Sequence, residues 1–292
     1  MRHFMIAAAV IALLPIIGFG GLYAVSEAKL RDIALNREFD HAIPDEADSI
    51  ARGRHIATTR GCLGCHGPDL AGRDFTEEWG EIIARPIAPN LASYVREHGA
   101  AIVERAVRQG VSARGKALVA MPSYNFARLS DEDMADLIAF LRSSPVVEND
   151  LPETKLGWRM RALLATGSEK HVNAWVQATP ELKLDPATDA QRARGEYLAM
   201  TICIECHGLD LRGFTLFPPA TPDLATVAAY SRDAFERLIR TGVAIGGREL
   251  DLMGLVATER FAELSEEEVD SLYSYLFVLG DEPAPEGVFW RP

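Results

Sequence analysis

The stretch CLGCHGPDL at residues 62–70 sets two cysteines three apart, with a histidine directly after the second. CIECHGLDL at 203–211 repeats the arrangement. The chain has 4 cysteines, and Cys62, Cys65, Cys203 and Cys206 account for all of them, so none remains for a disulfide framework. Three chemistries could use such a spacing: a thiol redox pair, a zinc site, or covalently attached haem.

The sequence around the two stretches is itself duplicated. ARGRHIATTRGCLGCHGPDLAGRDF at 51–75 aligns with ARGEYLAMTICIECHGLDLRGFTLF at 193–217 across a single-residue gap. PNL at 89–91 matches PDL at 222–224, and VERAVRQGV at 103–111 matches FERLIRTGV at 235–243. FARLSDEDMADLIAFL at 126–141 matches FAELSEEEVDSLYSYL at 261–276. Four blocks in one order mean two copies of one domain. Each copy reads as mostly helical. Its last helix opens at Ser130 or Ser265, with an acidic residue three later in a capping-box pattern. Met134, Leu137, Ile138 and Leu141 then recur at helical spacing, as do Val269, Leu272, Tyr273 and Leu276.

That frame discriminates among the three chemistries. A redox thiol pair sits at a helix start in a βαβ setting, and no strand pattern precedes either copy. A structural zinc site needs four ligands gathered together, whereas each pair here stands in its own repeat with its own histidine. Covalent haem uses every residue: the cysteines at i and i+3 share one face of a helical turn and close thioethers onto one porphyrin. The histidine at i+4, His66 or His207, then reaches the iron. Two covalently bound haem c groups are therefore expected. For the sixth position, Met121 in AMPSYNF precedes the last helix of copy one, and Met253 in DLMGLVATERF holds the corresponding place in copy two. Met134 and Met200 read as packing and Met160 stands in the connector, while His3, His41, His55, His98 and His171 read as surface or satisfied residues, His98 being the nearest alternative because it lies inside copy one. The carbonyls of Pro89 and Pro222 are candidates to fix the tautomers of the two motif histidines.

CLGCHGPDL, PNL, MPSYNF and LSDEDMADLIAFLRS resemble class I bacterial cytochromes c. The order of the pair, with the connector PVVENDLPETKLG, resembles the membrane-associated mono- and dihaem cytochromes that serve periplasmic dehydrogenases. The resemblance covers about 50–280 and is weaker in copy two, where the Met-Pro pair is missing. It implies the cytochrome c fold and an electron-transfer role without catalytic residues.

The rest of the chain frames these modules. Hydrophobic residues make up 48% and charged residues 25%, ordinary for a folded protein. A net charge of −12, from 30 basic and 42 acidic residues, argues against nucleic-acid binding. Residues 4–25 are uncharged and would span roughly 33 Å as a helix, enough for a hydrocarbon core of about 30 Å. The expected architecture is thus all-α: a membrane anchor at 1–26, retained as a signal-anchor, a stalk at 27–48, and a cytochrome c domain at 49–145. A connector at 146–190, a second domain at 191–281 and a tail at 282–292 complete it.

The leading expectation is a dihaem shuttle held by one helix in a bacterial inner membrane, with both haem domains in the periplasm. It would pass single electrons between a quinol-oxidising complex or dehydrogenase and an oxidase or soluble cytochrome. The alternatives are a dihaem peroxidase-like enzyme, or a tightly bound dihaem subunit of an oxidase or dehydrogenase complex.

Overall fold

The computed structural model of the chain describes residues 2–36, 38–213 and 220–281, the side chains of 2, 3 and 5–13 excepted. The expected tail, with Phe289 and Trp290, lies outside the described residues. The architecture is α-helical, with two minimal antiparallel ladders, β1 (Arg73–Asp74) on β3 (Ile87–Ala88) and β2 (Ala84–Arg85) on β4 (Lys155–Leu156).

The first module runs through α2 (Ala47–Thr59), α3 (Cys62–His66), α4 (Thr76–Ile83), α5 (Leu91–His98), α6 (Ala100–Gln109) and α7 (Asp131–Ser143). The connector carries α8 (Trp158–Thr166) and α9 (Val172–Ala178). The second module repeats the plan with α10 (Ala190–Ile202), α11 (Ile204–His207), α12 (Arg232–Thr241), α13 (Asp251–Glu259) and α14 (Glu266–Phe277). In each module the first helix crosses the last at a glycine. A Cβ on Gly53 would lie 1.9 Å from the Asp136 carbonyl oxygen, and one on Gly195 would lie 2.0 Å from that of Ser271. Only a residue without a side chain lets the two backbones come so close. Around these crossings the stripes of α7 (Met134, Leu137, Ile138, Leu141) and α14 (Val269, Leu272, Leu276) are buried in two separate cores.

Both last helices are capped as their sequences suggest, with one difference. In the second module the Ser265 hydroxyl accepts from the Glu268 amide at 3.1 Å, and the Glu268 carboxylate accepts from the Ser265 amide at 3.0 Å, closing the box. In the first, Ser130 accepts from the Asp133 amide at 3.0 Å, but aspartate is one methylene shorter. The Tyr197 hydroxyl, from the other module, fills the gap: it accepts from the Ser130 amide at 3.3 Å and donates to Asp133.

The connector packs on both modules. Val172 and Val176 of α9 belong to the second core, while Asn173 donates to the Gln109 carbonyl of the first module at 2.7 Å.

The expectation of a membrane-spanning helix is corrected. Residues 4–25 do lie within a helix, α1 (Arg2–Arg31), but among the described residues no helix is long and apolar enough to cross a membrane. The C-terminal end of α1 is committed to protein contacts. Leu30 joins a small core with Ile83, Ala117, Met160 and Leu164. Arg161 of α8 donates to the Ser26 hydroxyl at 2.9 Å and lies 4.1 Å over the Tyr23 ring, and Glu27 pairs with Lys116. The single-pass, inner-membrane placement and the membrane as a partner, both drawn from that segment, are withdrawn with it.

Candidate cofactor sites

Each CxxCH stretch forms one helical turn that ends at a glycine. In the first module Gly61, with φ of 79°, admits the chain to α3, and Gly67, with φ of 83°, ends it. In the second, α11 follows directly from Cys203 and ends at Gly208, with φ of 81°. Both turns then fold back on themselves by the same bonds. The His66 carbonyl accepts from the Gly72 amide at 2.8 Å, and that of His207 from Gly213 at 2.9 Å. The Leu70 and Leu211 carbonyls accept from Leu91 and Leu224, each at 2.9 Å.

Leu70 and Leu211 are buried and hold φ of 62° and 60°, a left-handed conformation that costs a leucine on the order of 1–3 kcal/mol. Asp69 and Asp210 offset it by accepting from the amides two residues on, at 3.1 and 3.0 Å. These aspartates support the site and were missed from the sequence. Their signal was the Asp-Leu pair repeated four residues after each second cysteine.

The loop fixed in this way carries the proline that orients the histidine. His66 Nδ1 donates to the Pro89 carbonyl at 2.8 Å, and His207 Nδ1 donates to that of Pro222 at 2.9 Å. A carbonyl can only accept, so the proton sits on Nδ1 and the lone pair on Nε2. Burial pushes both imidazoles below the ordinary histidine value, against the opposing pull of the proline bond. All four cysteines are free. Burial raises the Cys65 thiol and pushes Cys62 and Cys206 up to about 11 and Cys203 to about 12. Such thiols stay protonated at neutral pH, unlike the thiolate of a redox pair. Among the described residues no group of three or more His, Cys, Asp or Glu side chains gathers to hold a metal, which leaves the zinc reading without a ligand set.

Met121 is half-buried against the same core that Cys62 and Leu63 pack on. Pro122 follows it, and Ser123 anchors the loop through its hydroxyl to the Ala106 carbonyl at 2.7 Å. Met253 packs on the core that contains Cys203, but stands on a helix, α13, rather than in a loop. Gly254 stands where the first module has Pro122, and its amide donates to the Leu250 carbonyl at 2.8 Å, a bond proline cannot make; α13 crosses the end of α12 there, where a Cβ on Gly242 would lie 2.2 Å from the Gly254 Cα. The other methionines with described side chains, Met134, Met160 and Met200, are buried packing. His55 bonds Glu268 at 2.9 Å, His98 packs edge-on against Tyr94, and His171 caps α9.

The residues present fit covalent haem c: two protonated thiols and a neutral imidazole with its Nε2 lone pair free on one turn, and a thioether in the same core. A model of the cytochrome c family matches residues 50–145 and 192–279. A subunit of the nicotinate dehydrogenase of Pseudomonas putida is 29% identical over 171 residues, which cover 55% of this chain and 14% of that protein. The fructose dehydrogenase cytochrome subunit of Gluconobacter japonicus is 29% identical over 187 residues, covering 61% of this chain and 38% of that protein. A dihaem c-type cytochrome of Cereibacter sphaeroides is 27% identical over 219 residues, covering 69% and 70%. The chain thus spans well under half the length of the two dehydrogenase subunits. The leading expectation of a membrane-anchored shuttle is corrected: no helix among the described residues is long and apolar enough to cross a membrane, and the chain resembles subunits of dehydrogenases. The chain belongs to the cytochrome c family: it is an electron-transfer protein rather than an enzyme, and it carries two covalently bound haem c groups.

Proposed function

We propose that this chain is the dihaem electron-relay subunit of a dehydrogenase complex, taking single electrons from a catalytic subunit and handing them to an acceptor protein. Cys62 and Cys65 hold one haem and Cys203 and Cys206 the other. His66 with Met121, and His207 with Met253, would hold the two irons. Bound there, haem would supply a one-electron couple whose potential a thioether ligand raises.

The protein's own residues do the rest. The Pro89 and Pro222 carbonyls keep each imidazole in the tautomer that presents Nε2 and increase its basicity. The observation that carries the relay reading is the meeting of the two attachment turns: Glu205, between Cys203 and Cys206, lies 3.4 Å from Arg260, which in turn covers Gly61 and Gly64 of the first turn. An electron entering either module is therefore beside the other's attachment site.

The subunit reading rests on the similarity to cytochrome subunits of dehydrogenases. It is tested by purifying the tagged chain from its own cells under mild conditions. The expected result is a co-purifying dehydrogenase whose substrate reduces both haems. A chain that purifies alone, and is reduced by no dehydrogenase from those cells, would overturn it.

A further inference from the structure

The duplication supplies its own control for each contact between the modules. In the repeated FARLS and FAELS blocks, the residue before the phenylalanine is Asn125 in the first copy and Arg260 in the second. Both reach across to the other module's attachment turn. Asn125 does so without charge, accepting from the Glu205 amide at 3.3 Å and donating to the Thr201 carbonyl at 3.2 Å. Arg260 lies flat over the first turn: a Cβ on Gly61 would sit 2.3 Å from its Cζ, and one on Gly64 would sit 3.5 Å from its Nη2. Its Nη1 donates to Glu205 at 3.4 Å.

The second half of the pair is asymmetric in the same way. Glu205 is the third residue of its CxxCH, where the first copy has Gly64. One interface thus carries a guanidinium packed on the first attachment turn and a carboxylate built into the second, and neither has a charged counterpart in the other copy. The two side chains are 23% and 27% exposed, enough cover for their field to act over the length of a turn without full solvent screening.

We propose that Arg260 and Glu205 are positioning residues for electron transfer, a polarised pair that makes the haem on Cys62 and Cys65 the preferred seat of a single electron. Reduction adds one negative charge to a centre. Arg260 acts on Cys62 and Cys65 of the first turn, while Glu205 stands between the two cysteines of the second and also reaches Cys65; the balance of the two charges stabilises the added electron more at the first centre. The direction of the relay is then from the second module to the first. This rests on the dihaem relay reading above.

The test is an equilibrium redox titration of the purified dihaem protein, with the first haem assigned by the spectral change in Met121→Ala. In the parent protein the first-module haem is expected to take the first electron. Arg260→Gln should lower that preference on the order of tenfold, the scale expected for one partly screened unit charge. Glu205→Gln should shift it in the same direction. Arg260→Lys keeps the charge and should retain most of the preference, which a loss of packing alone would not do. Unfolding of each variant in denaturant checks that the modules remain folded. An unchanged distribution in Arg260→Gln, or an equal loss in Arg260→Lys, would overturn the proposal. A protein without two separate one-electron centres would instead overturn the relay reading beneath it.

Discussion

Arg108 in the first module and Arg240 in the second occupy the same place in the repeat and make the same bonds in different surroundings. Arg108 donates through Nε to Glu104 at 2.9 Å and through Nη1 to the Leu129 carbonyl at 3.0 Å. Arg240 donates through Nε to Glu236 at 2.8 Å and through Nη1 to the Leu264 carbonyl at 3.0 Å. The first pair has side chains 0% and 2% exposed; those of the second are 28% and 32% exposed. Phe39, in the segment leading into the first module, covers the Arg108 guanidinium at 5.4 Å. Duplication thus preserved the geometry and changed the dielectric, and the energetic weight of the bond lies in the dielectric.

Truncation breaks that comparison most strongly. Arg108→Ala strands Glu104 in the core and is expected to cost about 3–5 kcal/mol in denaturant unfolding. Arg240→Ala leaves Glu236 in contact with solvent and with Arg232, so a much smaller loss is expected. Equal losses would mean that burial does not set the weight of this contact.

The helix crossings should behave oppositely, because there the two modules are alike. Gly53→Ala and Gly195→Ala each force a methyl into a carbonyl, at about 1–3 kcal/mol apiece. Matched losses in the same unfolding experiment support a common crossing. A tolerated alanine in one module would show that its helices can separate.

The smallest effects concern the two contacts that latch the modules together, His55 to Glu268 and Tyr197 to Asp133. His55 and Tyr197 are equivalent positions in the repeat, and each reaches the third residue of the other module's last helix. Burial pushes Glu268 up, but bonds from His55 and the Ser265 amide, with the nearby His55 and Arg60 charges, outweigh it and hold the carboxyl at about 2. A depressed folded value means stability that is complete above the ordinary 4.5 and lost as pH falls towards 2. Burial, with the Asp133 charge, raises Tyr197 from 10.0 to about 12, so its contribution is complete below pH 10 and lost as pH rises through 12. One latch is expected to fail in acid and the other in alkali. Thermal unfolding across pH should show Glu268→Gln flattening only the acid limb and Tyr197→Phe only the alkaline limb. A variant that alters both limbs equally would contradict the assignment.

Much of this was legible in the residues. The duplication, the CxxCH turns, the Ser130 and Ser265 caps and the proline carbonyls are local or repeated patterns, set by helical period and by what a histidine nitrogen requires. The contacts between modules were not legible. Tyr197 meets Asp133, and Arg260 meets Gly61, across long stretches of sequence, and no periodicity links them. The helical setting of Met253 was hidden for a similar reason, since α13 packs on Gly242 at the end of α12, a contact that no local pattern announces. The uncharged run at 4–25 misled because hydropathy alone does not report that Ser26, Glu27 and Leu30 are bound to α8 and the first module.

The most direct test of the account is the mass of the denatured chain after exhaustive extraction of free haem, measured for the parent and for Cys203→Ala/Cys206→Ala. The expected result is two haem additions on the parent and one on the variant, the survivor mapping to a peptide containing Cys62 and Cys65. A parent carrying fewer than two, or a variant that still carries both, would contradict the assignment of one covalent haem to each module.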